Sequence, residues 1–117
     1  MVQMTLQLPH ELAERCGSVG PWLGTIIELG LAGFTTRAVA VASEVGAFLS
    51  GNPAPEAVMG FHVSEAAQAR LQRLLALNES GLLSESERRE LDELRRLEHI
   101  IAMLKLRAAQ MKEPGDP

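Results

Sequence analysis

Tyrosine is absent from this 117-residue chain, which holds only one Trp, three Phe and one Cys. With aromatics at 3%, a β-sandwich is a poor fit, because its strands lean on aromatic and β-branched side chains. Leu, Ala, Val and Ile are left to build the core, which suits packed helices. A lone Cys16 excludes an intramolecular disulfide and fits a reducing compartment. Such a thiol reads as a small hydrophobe rather than a nucleophile. Excess positive charge is also missing. The formal net charge is −4, so bulk charge offers no reason to expect nucleic acid or an anionic membrane. The most apolar stretch, Cys16 to Phe34, is broken by Glu28 and several glycines. It falls short of the roughly 20 apolar residues that span a bilayer. No basic region followed by an apolar run opens the chain. These absences describe a soluble, cytoplasmic, single-domain protein.

What is present is periodicity. Val2, Met4, Leu6 and Leu8 alternate with Gln3, Thr5 and Gln7 until Pro9, which predicts a short half-buried strand. No second strand follows, so its backbone would be satisfied by the same strand of another copy, and a homodimer is expected. A short helix from His10 to Cys16 should turn Leu12 and Ala13 inward. Pro21 is placed to begin the next helix, whose apolar face is Leu23, Ile26, Ile27, Gly30, Leu31 and Phe34. Gly30 and Gly33 suggest the close approach of another backbone. A third helix carries Ala38, Val41, Ala42, Val45, Phe48 and Leu49.

Ser50 to Pro55 is the clearest break, with a single turn expected over Glu56 to Met59. Beyond it, Ser64 caps a helix bearing Ala67, Leu71, Leu74 and Leu75. Ser84 and Glu87 form a capping box ahead of a long helix with Leu94, Leu97, Ile101, Leu104, Ala108 and Met111 on one face. Glu85/Arg89, Arg88/Asp92, Arg89/Glu93 and Asp92/Arg96 lie one turn apart, as pairs on an outer face. The expected architecture is mainly α. A ribbon-helix-helix-like dimerising unit spans 1–50, a loop 51–63, an antiparallel helical hairpin 64–112 and a frayed tail 113–117.

Catalytic chemistry finds little support. His10, His62 and His99 are far apart, with no metal-ligand spacing and no second Cys. The carboxylates from Glu85 to Glu98 alternate with arginines and read as a solvated helix face rather than a general acid–base pair. Phosphate-loop, dinucleotide and nucleophile-elbow patterns are absent. No enzyme activity, cofactor or metal is expected.

The order strand, helix, turn, helix is that of a ribbon-helix-helix module, in which outward strand side chains read the major groove. Here those would be Gln3, Thr5 and Gln7, Gln being a bidentate reader of adenine. Against this, residues 1–50 contain only Arg15 and Arg37 as cations, and DNA affinity rests on cations. A strand that dimerises without touching DNA is the plainer reading. In the long helix, Leu94, Leu97, Ile101 and Leu104 are explained most simply as core. Ile100, Met103 and Leu106 widen the apolar coverage beyond what one neighbour needs. The set is the expected partner-protein surface, by helix-in-groove anchoring.

Several segments carry a resemblance: Glu28-Leu-Gly-Leu31, Val45-Gly-Ala-Phe-Leu49, Pro53-Ala-Pro-Glu56, Ser64-Glu-Ala-Ala-Gln-Ala-Arg70, Leu74-Leu-Ala-Leu-Asn78, Leu83-Ser-Glu-Ser-Glu-Arg88 and Leu97-Glu-His-Ile-Ile101 with Lys105. The series resembles a family of short, largely uncharacterised bacterial proteins that begin with an "I-x-x-P-x-E-L" type strand. Their C-terminal half follows "LLxxNxxGxLxxEExxELxxLxxLEHLVxLxKxxA". That family is similar to the antitoxin halves of toxin–antitoxin pairs, and the resemblance implies a partner such as a PIN-like ribonuclease toxin. It brings no catalytic residues. The alternative function is a structural adaptor or assembly subunit that binds protein only.

Overall fold

The structure is a computed structural model that describes residue 5 and residues 7–112. Among the described residues every regular element is helical: α1 (His10–Gly17), a 3-10 turn (Gly20–Trp22), α2 (Leu23–Leu31), α3 (Ala38–Ser50), α4 (Pro55–Met59), α5 (Glu65–Glu79) and α6 (Glu85–Lys112). The expected N-terminal strand, and with it the ribbon-helix-helix architecture, is corrected. Thr5, Gln7 and Leu8 lie in irregular, exposed backbone, and no described residue is in a strand. Val2, Gln3, Met4 and Leu6 fall outside the described residues, as does the tail 113–117. An alternating pattern gives a strand only where a neighbouring strand accepts its backbone bonds, and no second strand is among the described residues to do so.

The helices stop and start where local chemistry dictates. Ser84 Oγ accepts from Glu87 N at 3.1 Å and Glu87 Oε1 accepts from Ser84 N at 2.9 Å, the reciprocal capping box that opens α6. Ser64 Oγ accepts from Ala67 N at 3.2 Å at the start of α5. Gly81, at φ +70, lets the chain leave α5 while Leu82 N returns to Leu77 O at 2.9 Å. Gly20, at φ +75, occupies a conformation that other residues adopt at a cost, directly against Asn52.

The 28-residue α6 is the spine, packing against α2, α3, α4 and α5. Leu97, Ile100, Leu104 and Ala108 of α6 join Val19, Trp22, Leu29, Val45, Leu49 and Val58 in one cluster, so both halves of the chain share a core. A second cluster gathers Ala38, Leu74, Leu91 and Leu94 at the α5–α6 turn. Trp22 is fully buried, and its Nε1 donates to Pro53 O at 2.8 Å, tying the turn before α2 to the 51–63 segment.

Three further expectations change. No residue of α1 is buried, and Leu12 and Ala13 are exposed. In α2 Thr25 and Leu29 are buried; of the expected face Leu23, Ile26 and Phe34 pack half-buried on the core, while Ile27 and Leu31 are 45% and 80% exposed. This helix has only Thr25 and Glu28 as polar side chains, so its apolar pattern could not orient it. The inward turn of Thr25 is secured by Arg107 Nη1, which donates to its Oγ1 at 3.2 Å. Nothing lies within 4 Å of a Cβ built on Gly30, so it marks no close backbone approach, while Gly33 serves as a left-handed stop after α2 at φ +67.

Candidate protein-binding groove

The α5–α6 pair runs antiparallel, and its two ends are fastened to different things. Near the turn, Leu74 of α5 packs with Leu91 and Leu94 of α6, supported by Leu71, Leu75 and Leu83. Arg70 then crosses to Glu90 as a bidentate pair, Nε to Oε2 and Nη2 to Oε1, both at 2.8 Å. The Glu90 side chain is 5% exposed and that of Arg70 23%. The other end of α5 is tied to α3. Glu44 accepts from Ser64 N and Ser64 Oγ, each at 2.9 Å. An open groove of about 780 Å³ lies between α5 and α6, on a side that none of these four residues lines.

Its floor is apolar: Phe61, Val63, Ala67, Leu71, Leu97 and Ile101. Phe61 is held by a stacked contact with Phe48, ring centroids 4.6 Å apart. Gln68 and Gln72 edge one wall, Glu98 and Lys105 the other. This is the chemistry of a surface that takes an apolar stripe with polar flanks.

The carboxylates at the start of α6, none of which lines the groove, are strongly engaged. The Arg70 guanidinium holds the Glu90 carboxyl below the usual carboxylate range against the opposing effect of burial, with Arg37 adding to the depression. Glu90 in turn raises Arg70. Glu93, whose burial works the other way, is lowered by hydrogen bonds from Thr36 and Thr35. Glu87 is lowered by the backbone and hydroxyl of Ser84. Each shift has a structural cause, and none describes a proton-transfer pair.

The expected site residues separate. Leu94, Leu97, Ile100 and Leu104 are 6%, 1%, 3% and 1% exposed, within the chain's own core. Leu97 and the half-buried Ile101 contribute to the groove floor, with Leu94 at its closed end. Met103 and Leu106 are 47% and 52% exposed on the solvent side of α6. Of the proposed base readers, Thr5 and Gln7 are exposed in irregular backbone and Gln3 lies outside the described residues. His10, His62 and His99 are exposed, and among the described residues no group of three or more His, Cys, Asp or Glu is placed to hold a metal. Cys16 is a half-buried free thiol. No described helix is long and apolar enough to cross a membrane.

Sequence reasoning missed Phe61 and Val63, which share one side of an extended stretch ahead of Ser64 and could have been found by their alternation. It also missed Arg70–Glu90 and Glu44–Ser64, each 20 residues apart, for which local spacing carries no signal. No family model, no curated protein and no solved structure matches this chain.

Proposed function

We propose that this chain is a non-catalytic cytoplasmic interaction protein that grips an amphipathic helix of a partner protein in the groove between α5 and α6. It would act in the manner of the antitoxin half of a toxin–antitoxin pair. The observation that carries the reading is the groove itself, an apolar floor about 780 Å³ in capacity, left open to solvent. Arg70–Glu90 and Glu44–Ser64, on the side of α5 that faces α3, fix α5 against α6 and α3. A groove already fixed in shape loses little conformational entropy on binding, which favours affinity. The resemblance of residues 45–108 to antitoxin-like proteins supplies the class of partner, a small nuclease-like toxin.

The test is co-expression with a small protein encoded beside this one or, where there is none, with proteins recovered on the tagged chain, followed by purification and light scattering. A stoichiometric complex that is lost in Leu71→Glu and Ile101→Glu supports the reading. A complex indifferent to both substitutions removes the groove from the account. Recovery of a stable assembly that includes no nuclease-like protein favours the adaptor.

A further inference from the structure

The charges of α6 are sorted by face. Glu90 and Glu93 turn inward, to Arg70 and the Thr35–Thr36 backbone, while Glu87 folds back on the helix's own N-terminus at Ser84. Arg88, Arg89, Arg95 and Arg96 are left exposed. Among the described residues Arg70 is the one Lys or Arg within ion-pair distance of a carboxylate. Glu85 and Asp92 share the outer side, and Arg88 Nη2 donates to Asn78 Oδ1 at 3.2 Å. The arginines stand as two pairs seven residues apart, two helical turns or about 10.5 Å. The strip then continues into the exposed Met103 and Leu106, and from His99 to Lys112 the helix contains no carboxylate.

We propose that this outer face of α6 is a second docking surface, and that its occupant is an acidic protein surface. Carboxylates would meet Arg88, Arg89, Arg95 and Arg96, and an apolar side chain would lodge against Met103 and Leu106. Four features favour that occupant. Guanidinium forks match carboxylates in a bidentate geometry that lysines do not offer. Arg and Met are enriched at protein interfaces. An apolar end in line with the arginines suits a protein, and α6 carries no Phe, Tyr or Trp on which a base could stack, His99 being its one ring. The main apolar stripe of α6 is taken up by the chain's own core, which leaves too little to seat the helix in a lipid surface. The surface is separate from the groove, whose α6 wall is formed by Leu97, Glu98, Ile101 and Lys105.

The test uses a designed three-heptad helical peptide with paired Glu residues one heptad apart and Leu in its last heptad. Its binding to the intact protein is followed by fluorescence anisotropy. Binding is expected at about 50 mM NaCl and should weaken at least about tenfold by about 300 mM. Arg95→Glu/Arg96→Glu should abolish it, with helicity unchanged by circular dichroism, and a peptide with Lys in place of Glu should restore it. Met103→Ser/Leu106→Ser should weaken it about tenfold. Ile101→Glu, which fills the groove, should leave it intact, so failure here is distinct from failure of the groove reading. Absence of binding, or binding unaffected by the charge reversal, would overturn the proposal. So would equal or tighter binding of an oligouridylate or of phosphatidylglycerol vesicles.

Discussion

Glu93 and Thr36 are joined at 2.6 Å, Thr36 Oγ1 donating to Glu93 Oε1 across 57 residues of sequence. The same carboxylate accepts from Thr36 N at 3.0 Å and from Thr35 N at 3.0 Å, so a side chain of α6 caps the approach to α3. Thr35 and Thr36 precede the N-cap residue Arg37, and Thr36 Oγ1 also accepts from Ala38 N at 3.2 Å. Glu93 thus braces the residue that caps the first turn of α3. Glu93→Ala is therefore expected to lower stability by about 1–2 kcal/mol, the range of a lost N-cap. Urea denaturation followed by circular dichroism measures it, with Glu93→Gln expected to lose less. A change under a few tenths would show that the cap is dispensable.

Stability should fall on acidification, with a definite sign. Glu87, Glu90 and Glu93 all have folded-state pKa values below the ordinary carboxylate value. A depressed carboxylate stabilises the fold above its unfolded pKa, about 4.3, and that contribution is lost as pH falls through the folded pKa. The denaturation midpoint should accordingly be flat near neutrality and drop below roughly pH 4. In Glu90→Gln/Glu93→Gln the drop should be shallower. Equal acid sensitivity in that variant would assign the effect elsewhere.

The Arg70–Glu90 pair separates two meanings of a buried ion pair. Removing one partner, as in Arg70→Met, strands the nearly buried Glu90 carboxylate and should cost about 3 kcal/mol. Replacing both, as in Arg70→Met/Glu90→Leu, should be close to neutral, since an apolar pair carries no desolvation penalty. A double variant as unstable as the single one would mean that the pair fixes the angle of α5. Loss of partner binding with stability retained would show that it sets the groove through the position of α5.

Glycines at two positions should respond in opposite directions. Gly30 lies inside α2, and a methyl group added there would find nothing within 4 Å, so Gly30→Ala should stabilise by up to about 1 kcal/mol. Gly20, at φ +75, would place a Cβ 2.6 Å from Asn52 Oδ1. Gly20→Ala should lower the thermal midpoint, as both the backbone conformation and the contact oppose it. Thermal melts of the two variants side by side check both signs.

Where α5 and α6 begin, and the inward stripe of α6 from Leu94 to Ala108, were legible in Ser64, Ser84-x-x-Glu87 and the helical spacing, because caps and periodicity act over a single turn. The core face of α3 was legible for the same reason, Ala38, Val45 and Leu49 being buried at the expected spacing. The groove was not. Its floor is shared between Phe61, Leu71 and Ile101, which meet only once α5 is fastened to α3 at one end and to α6 at the other.

By itself the sequence determined which segments are helical and where most of them start and stop, through capping side chains, glycine and proline that act on their immediate neighbours. Its N-terminal alternation pointed to a strand that Thr5, Gln7 and Leu8 do not form, because period alone cannot supply a partner strand. It could not orient α2, where apolar residues surround the helix. Tertiary structure decided both, and it also decided the electrostatics. The acids and arginines of α6 alternate in sequence and look like pairs one turn apart. In the fold Glu90 and Glu93 turn inward and Glu87 caps its own helix, where Arg70 and backbone N–H groups offer stronger hydrogen bonds than a solvated neighbour can. That choice leaves the arginines outside, because a charge partly removed from water is held by the partner that compensates it best.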